Sequence, residues 1–365
     1  MPSLNYESVV NQVSMGQVSV NFLREFYNRK INVSFSVISD NFDFTAFNKT
    51  SGEFQLWVQK AAQNKLKNLN PEAPNLKLWH INGSEKSLVS RGKNYLYTFY
   101  EADSPTEEEK NIVKCYDHVF FSSSHASKCF IKAGCHNVSY VPLGFDPDFG
   151  ATNKEYLGKD VIHFGLIGKF EHRKNTRRII QIWLDKYGND NKYQLSLLIN
   201  NSFFKDDDFN KILIDTLKNQ RWTNINLLPR LNTNEEVNEL TNAIDIDLSG
   251  VSGGEGWNLP SFNACCLGKV AVVTEAPGME DWAHGENVIK ISGKGSIPVH
   301  DGVFFVNGMP FNQGNFVKID DEDISKAMDD AIILHQNNSF GVREDLIESF
   351  SYKRSVDDIF EVIYS

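Results

Sequence analysis

The segment "SGVSGGEGWNLPSFNACCLGKVAVV", from Ser249 to Val273, decides how the chain folds. Three glycines surround Glu255, Pro260 follows where a helix would begin, and the apolar run "KVAVV" closes the segment. Glycines let backbone N–H groups come close to a ligand, and proline fits the first turn of a helix. The segment therefore predicts a glycine loop after one strand, then a helix and a second buried strand, as in a parallel α/β sheet.

The same alternation of strand and helix extends in both directions from this segment. In the second half, apolar runs and helical periodicity predict strands at 161–168, 193–200, 225–229, 244–250 and 269–275, with helices between them. In the first half they predict helices at 17–30, 107–116 and 125–134 and strands at 31–39, 94–101, 118–124 and 138–144. Residues 145–160 interrupt the pattern with Pro, Gly and polar residues, so we expect a linker there. Two domains follow, residues 1–150 and 156–350, facing each other across a cleft.

Composition and charge limit the classes of function. Residues 1–150 hold 15 of the 37 basic and 15 of the 47 acidic residues, so the net charge of −10 lies wholly in the second half. An acidic chain is a poor general binder of nucleic acids, although the neutral first half weakens this exclusion. The N-terminus resembles no secretion signal and no apolar run is long enough for a membrane span. Five cysteines without C-x-x-C spacing favour reduced thiols, and we expect a cytoplasmic protein.

Charged side chains follow several of the predicted strands. Lys169, Arg173 and Lys174 come after the strand at 161–168 and next to a helix N-terminus, where cations and backbone amides suit a diphosphate. A solvated basic loop is the competing interpretation. Glu101 and Asp103 follow the strand at 94–101, and paired carboxylates indicate acid–base chemistry or merely helix caps. We predict no metal site, because the sequence has no H-x-x-x-H and no clustered arrangement of His and Asp residues that points to a bound metal.

These motifs resemble those of glycosyltransferase family 4, whose members are retaining enzymes of the GT-B fold that use nucleotide sugars. The family pattern S-x-x-E-G-F-G-L-P-x-x-E-A-x-A-x-G corresponds to "SGGEGWNLPSFNACCLG" here, and its basic loop G-R-x-x-x-x-K corresponds to "GKFEHRK". The resemblance implies two Rossmann-like domains and a last helix, at about 351–365, that crosses back to the first domain. It covers nearly the whole chain and is most specific between Ser252 and Gly268.

The resemblance also implies the roles of individual residues. Lys169 and Lys174 would hold the donor diphosphate, and Glu255 would bind hydroxyls of the donor sugar. The remaining donor-binding positions would be Gly16, Arg173, Leu231, Gly254, Gly256, Trp257, Asn258, Leu259 and Asn263. Glu101 and Asp103 are weaker candidates on the acceptor side. The chain departs from the family at Lys169, where an arginine is usual, and at Asn263, where a glutamate is usual.

The expected activity is therefore transfer of a sugar, with retention of configuration and without a metal or cofactor. The donor would be a nucleotide sugar such as a UDP- or GDP-sugar, and the unidentified acceptor a glycan, a lipid-linked sugar, a protein or a modified nucleic acid. Three alternatives stay open. One is a DNA-modifying glycosyltransferase that uses Lys60, Lys65, Lys67 and Lys77, and another is an epimerase or phosphorylase of the same fold. The third is a catalytically silent protein that only binds sugar nucleotides.

Overall fold

The chain forms two parallel sheets of six strands each. A computed structural model describes residues 2–85, 91–154, 156–158, 160–301 and 303–365, with the backbone alone at 39–41. The first domain contains, in chain order, β1 (Ser3–Val10), α1 (Ser14–Asn28), β2 (Asn32–Phe42), α2 (Gly52–Gln63), α3 (Lys65–Asn68), β3 (Asn75–Leu78), β4 (Asn94–Thr98), α4 (Glu107–Cys115), β5 (His118–Phe121), α5 (Ser124–Lys132) and β6 (Val138–Tyr140). The order of its strands is β2-β1-β3-β4-β5-β6, and every pair is parallel.

The second domain repeats this architecture. It contains β7 (Ile162–Ile167), α6 (Thr176–Tyr187), β8 (Tyr193–Leu198), α7 (Asp206–Thr216), β9 (Ile225–Leu227), α8 (Asn234–Ala243), β10 (Ile246–Gly250), α9 (Leu259–Cys266), β11 (Val270–Thr274), β12 (Val288–Ile291), β13 (Ser296–Pro298), β14 (Asn315–Val317), α10 (Asp321–Asn337), α11 (Glu344–Ser349) and α12 (Tyr352–Ile363). Its parallel sheet has the order β12-β11-β10-β7-β8-β9, so the predicted α/β class and its two parallel sheets are confirmed.

Strand β1 lies inside the first sheet, between β2 and β3, and neither β1 nor β3 was predicted from the sequence. The polar residues of β1 hide its strand character, yet two of them donate side-chain hydrogen bonds within the protein. Asn5 donates to the carbonyl of Asn70 at 2.9 Å, and the Ser8 hydroxyl donates to the carbonyl of Leu78 at 3.2 Å. A buried polar side chain with a partner of this kind is tolerated in a core strand.

Helix α1 begins earlier than the periodicity predicted. Its first residue is Ser14, so "SMG" forms the first turn of the helix rather than a turn before it. The preceding turn is closed by Asn11, whose side chain accepts a hydrogen bond from the N–H of Val13 at 3.1 Å. A Cβ at Gly16 would lie 2.2 Å from the carbonyl oxygen of Asn11, and this close approach explains the glycine.

Helix α12 returns to the first domain, as expected. Its Phe360 ring stacks on Phe26 of α1 with 5.6 Å between ring centroids, and Tyr352 meets Phe22 edge to face. The Ser355 hydroxyl donates to the carbonyl of Pro142 at 2.6 Å. Residues 145–160 contain no helix or strand among those described, in keeping with a linker.

A long excursion from the second domain makes a further connection between the domains. We call residues 293–318 the hairpin arm; it contains the antiparallel pair β13 and β14. Three of its side chains, Val299, Phe305 and Phe316, are buried in one cluster with first-domain residues such as Tyr100 and Leu96. The arm therefore contributes to the core of the domain opposite to its own, which holds the two domains against each other.

Candidate active site

A cavity of about 660 Å³ lies between the domains, at the carboxyl ends of the second-domain strands. Ligands of open parallel sheets bind at this edge because the loops after the strands converge there. The loops after β7, β8, β9 and β10 supply one wall. Part of the other wall comes from the first domain and the linker, through Gln12, Val13, Ser14, Gln17, His80, Phe99, Glu101, Leu143, Asp146 and Phe149. Most of the predicted site residues line this cavity: Glu101, Lys169, Arg173, Lys174, Leu231, Glu255, Gly256, Trp257, Asn258, Leu259 and Asn263.

Glu255 lies at the centre of a buried cluster of charges. One of its carboxylate oxygens accepts from Lys174 Nζ at 2.6 Å, and the other lies 2.9 Å from an Arg173 guanidinium nitrogen. Burial by itself would raise the pKa of Glu255, but the two cations outweigh it and hold the pKa at about 2. Glu255 is therefore ionised at neutral pH, and both cations are held at fixed positions in the cavity wall.

Two further carboxylates belong to this cluster. Glu171 lies 3.1 Å from a second Arg173 nitrogen and 3.9 Å from Lys169 Nζ, although its place in a basic loop gave no sign of this role. Glu101 lines the cavity from the first domain. Partial burial raises its pKa; Arg173 opposes this effect, whereas the charges of Glu255 and Glu171 add to it. Three cations and two carboxylates of the second domain thus lie in one cluster with a single carboxylate, Glu101, from the first domain.

The glycines around Glu255 allow close contact between protein segments. A Cβ at Gly254 would lie 2.6 Å from the carbonyl oxygen of Glu101 and 2.7 Å from the Phe316 ring. A Cβ at Gly256 would lie 2.9 Å from Phe99 Cβ, in the first domain. These contacts account for both glycines without a ligand, so contact of Gly254 and Gly256 with a donor stays a prediction.

The start of α9 is shaped by Asn258. This residue has φ of 67°, in the left-handed region that favours glycine, and its side chain caps the helix by accepting from the N–H of Ser261 at 3.3 Å. Its amide nitrogen donates to the carbonyl of Ser249 at 2.7 Å. Asn258 therefore lines the cavity while its side chain fixes the backbone.

Asn263 lines the cavity from within α9 and is 4% exposed. Its side-chain oxygen has no hydrogen-bond partner among the residues that the structure describes. A buried polar atom without a partner is costly, so the cavity offers a ligand hydroxyl an unmet acceptor at this point.

The ring of Trp257 is used for packing. It meets the rings of Phe262 and Phe350 edge to face, at centroid distances of 5.4 and 5.3 Å. Its carbonyl accepts from the Trp282 indole at 2.9 Å. Trp257 thereby joins α9 to the segment that leads into α12.

Three predicted residues, Gly16, Asp103 and Gly254, are not among the residues that line the cavity. Gly16 is not among the lining residues, whereas Ser14 and Gln17 of the same turn are. Asp103 is exposed, and its carboxylate accepts from the backbone and side-chain amides of Asn315 at 2.7 and 3.1 Å. It holds the hairpin arm in the structure, and a contact with an acceptor stays a prediction.

Within the residues that the structure describes, no three His, Cys, Asp or Glu side chains are grouped as metal ligands would be. In the same part of the chain no helix has the length and apolar character needed to cross a bilayer.

Comparison with known proteins gives a result at the level of structure. Neither the protein-family models nor the curated protein sequences compared with the chain give a match. Many solved structures are similar in fold, among them the following three. Sucrose-phosphate synthase from Thermosynechococcus elongatus has a TM-score of 0.69 and 11% identity over 99% of this chain and 98% of its own. HepE from Anabaena, in complex with UDP, has a TM-score of 0.64 and 13% identity over 100% of both chains.

The third is a trehalose-6-phosphate structure from E. coli bound with UDP-2-fluoro glucose, with a TM-score of 0.63 and 11% identity over 99% of this chain and 98% of that one. With identities this low, the likeness defines the fold. The fold is GT-B: two Rossmann-like domains facing across a cleft, with the last helix on the first domain.

Proposed function

We propose that the chain is a retaining glycosyltransferase that moves a sugar from a nucleoside-diphosphate sugar to an acceptor hydroxyl without a metal ion. The observation that carries this proposal is the pairing of Arg173 and Lys174 with Glu255 at the wall of a GT-B cleft, where Lys169 also lines the cavity. The sequence resemblance to glycosyltransferase family 4 supports it, because Lys169, Lys174 and Glu255 occupy the positions of that family's donor-binding motifs.

The cations would act on the leaving group. When the bond between sugar and nucleoside diphosphate breaks, negative charge develops on the diphosphate, and positive groups fixed in advance lower the energy of that state. Lys169 and Lys174 supply this charge in the proposal, and Arg173 holds the loop through its contact with the carbonyl of Gly254 at 2.7 Å. This is the role that a divalent cation has in metal-dependent transferases.

Glu255 and Asn263 would recognise the two sugars of the donor. The ionised Glu255 accepts hydrogen bonds from hydroxyls of the transferred sugar, which requires Lys174 to turn from Glu255 toward the diphosphate. Asn263 accepts from a ribose hydroxyl through the oxygen that has no partner among the described residues. Leu231 and the backbone beside Arg230 would meet the base, since both residues line the cavity after β9.

Retention is proposed to follow from attack on the same face of the sugar as the departing diphosphate. In this proposal a phosphate oxygen accepts the proton of the acceptor hydroxyl, and Glu101 contacts the acceptor from the first domain. A UDP-sugar is the first donor to examine, because two of the structural neighbours were solved with UDP or UDP-2-fluoro glucose. A GDP-sugar is the second.

The alternative of a silent sugar-nucleotide-binding protein keeps two observations in its favour. Asn263 lacks the charge of the family's glutamate, and all three cations are balanced by carboxylates. The DNA-modifying alternative loses part of its support. Lys77 is buried, donates to the carbonyl of Gly83 at 3.0 Å and lies 3.6 Å from Glu7, so it does not extend a basic surface.

The test is a thermal-shift screen of the full chain against UDP-, GDP- and ADP-sugars, followed by product analysis. A ligand that binds the native state raises the melting temperature. We expect at least one donor to raise the melting temperature. This rise should be mostly lost in Lys174→Ala and fully retained in Lys192→Ala, a substitution at an exposed lysine of the same domain. Transfer to an acceptor with the donor's anomeric configuration, followed by NMR, supports the enzyme. Donor binding without transfer or hydrolysis supports the silent protein, and a shift unaffected by Lys174→Ala rejects the site.

A further inference from the structure

Lys169 is held against two aromatic rings. Its Nζ lies 4.9 Å from the ring centroid of Phe203 and 5.8 Å from that of Phe304. The two rings meet edge to face with 4.9 Å between their centroids. An ammonium group within about 6 Å of an aromatic centroid is attracted by the negative face of the ring.

The two rings come from separate segments. Phe203 follows β8, and Phe304 lies in the hairpin arm; they are 54% and 43% exposed, which is unusual for so large an apolar side chain. The backbone at Phe304 is fixed by Asp301, whose carboxylate accepts from the N–H groups of residues 303–305 at 2.7 to 2.8 Å. The backbone that carries Phe304 is therefore fixed by Asp301.

The arm links this cluster to the first domain. Phe305, the next residue after Phe304, is 4% exposed and belongs to the buried cluster that contains Tyr100 of the first domain. Further along the arm, the carbonyl of Pro310 accepts from the Thr106 hydroxyl at 2.7 Å, and the N–H of Asn312 donates to Glu109 at 2.8 Å. One side of the arm thus contacts Lys169 while the other is fastened to the opposite domain.

We propose that Phe203 and Phe304 are positioning residues for Lys169. Through these rings, the hairpin arm couples the position of the Lys169 ammonium to the position of the first domain. The inference rests on the proposed function, in which Lys169 binds the donor diphosphate. Lysine has a flexible side chain and lacks the rigid, planar guanidinium of arginine. Its position therefore depends more on the side chains that surround it. The 3.9 Å separation from Glu171 is too long for a hydrogen bond that could fix the ammonium.

Ring-current shifts test the position of Lys169 without any nucleotide. The full chain is labelled with [13C]lysine, and the Lys169 resonance is assigned by its loss in Lys169→Arg. We expect the protons next to Nζ to be shifted upfield in the unmodified chain and to move toward the exposed-lysine value in Phe203→Ala and in Phe304→Ala. Met309→Ala, at an exposed apolar position of the same arm, should leave the shift unchanged. Absence of an upfield shift in the unmodified chain overturns the proposal.

Calorimetric titration with UDP, uridine and inorganic pyrophosphate tests the consequence for binding. A cation–π contact at a partly exposed site is worth roughly two- to fivefold in an equilibrium constant. We expect each alanine variant to bind UDP and pyrophosphate more weakly by about that factor and to bind uridine as the unmodified chain does. General damage to the cavity would weaken the binding of uridine as well. Phe304→Tyr, which keeps an aromatic ring, should bind UDP and pyrophosphate as tightly as the unmodified chain does. Phe304→Leu should bind them more weakly.

The two proposals fail in different ways. If Phe304→Leu binds UDP as well as the unmodified chain does, the rings do not position Lys169 and this inference is wrong. If none of these probes, nor GDP, binds the unmodified chain, the proposed function fails together with the diphosphate role of Lys169. The ring-current experiment then still decides whether the rings hold the ammonium.

Discussion

Replacing Glu255 by glutamine tests whether the charge cluster stabilises the fold through ionisation of this carboxyl. The pKa of Glu255 is about 2 in the folded chain against an ordinary value of 4.5, because Arg173 and Lys174 outweigh its burial. This difference corresponds to about 3 kcal/mol of stability at pH 7, at 1.36 kcal/mol for each pH unit. Since the folded-state pKa is the lower one, the stability is present above about pH 4.5 and is lost as the pH falls through about 2.

The measurement is a set of urea titrations at pH 7, 5, 4 and 3, followed by tryptophan fluorescence. Glu255→Gln should be less stable by about 3 kcal/mol at pH 7, and by about half of that or less at pH 3, where glutamine resembles the protonated acid. Glu280→Gln, at an exposed glutamate of the same domain, should match the unmodified chain at every pH. A difference that stays constant between pH 7 and pH 3 would refute the reasoning, because it would mean that packing and not charge is responsible.

Three other substitutions examine the cavity and its boundary. Asn263→Leu should weaken UDP binding about two- to tenfold in calorimetric titrations, as expected for one lost hydrogen bond, and Asn263→Glu should tighten it. Gly254→Ala places a Cβ 2.6 Å from Glu101, so the melting temperature should fall by several degrees, whereas Gly341→Ala, with open space around it, should change it little. Asp103→Ala should reduce stability by about 1 kcal/mol in urea titrations through its lost contact with Asn315, while the transfer rate is retained. A lost rate at unchanged stability would instead place Asp103 at the acceptor.

Five of the six strands in the second-domain sheet, all except β12, could be predicted, and the clearest of them are nearly continuous apolar runs. Strand β7 reads "IHFGLI" and is buried throughout, and β11 reads "VAVVT" with the same burial. Strand β1, "SLNYESVV", alternates apolar with polar residues, and its partners for Asn5 and Ser8 lie more than 60 residues away in the chain. No local pattern could report hydrogen bonds over that distance.

The hairpin arm was not predicted for a related reason. Residues 293–318 are rich in Gly and Asn with scattered phenylalanines, which locally resembles a loop. The burial of Phe305 and Phe316 depends on a surface supplied by the other domain, about 200 residues earlier. The part of the site that rests on the arm, namely the environment of Lys169, was therefore out of reach of sequence reasoning.

The position of the site was easier to predict than its electrostatics. Charged residues after parallel strands must meet at one sheet edge, so Lys174 and Glu255 were expected in the same cleft. Their pairing at 2.6 Å changes the interpretation of both, because Lys174 already has a carboxylate partner. In the proposed function, the diphosphate therefore takes Lys174 from Glu255 rather than binding a free cation. That exchange leaves the Glu255 carboxylate able to accept from sugar hydroxyls, so diphosphate and sugar binding are coupled through one ion pair. In the proposed function, this coupling favours an intact nucleotide sugar, which supplies partners for both charges.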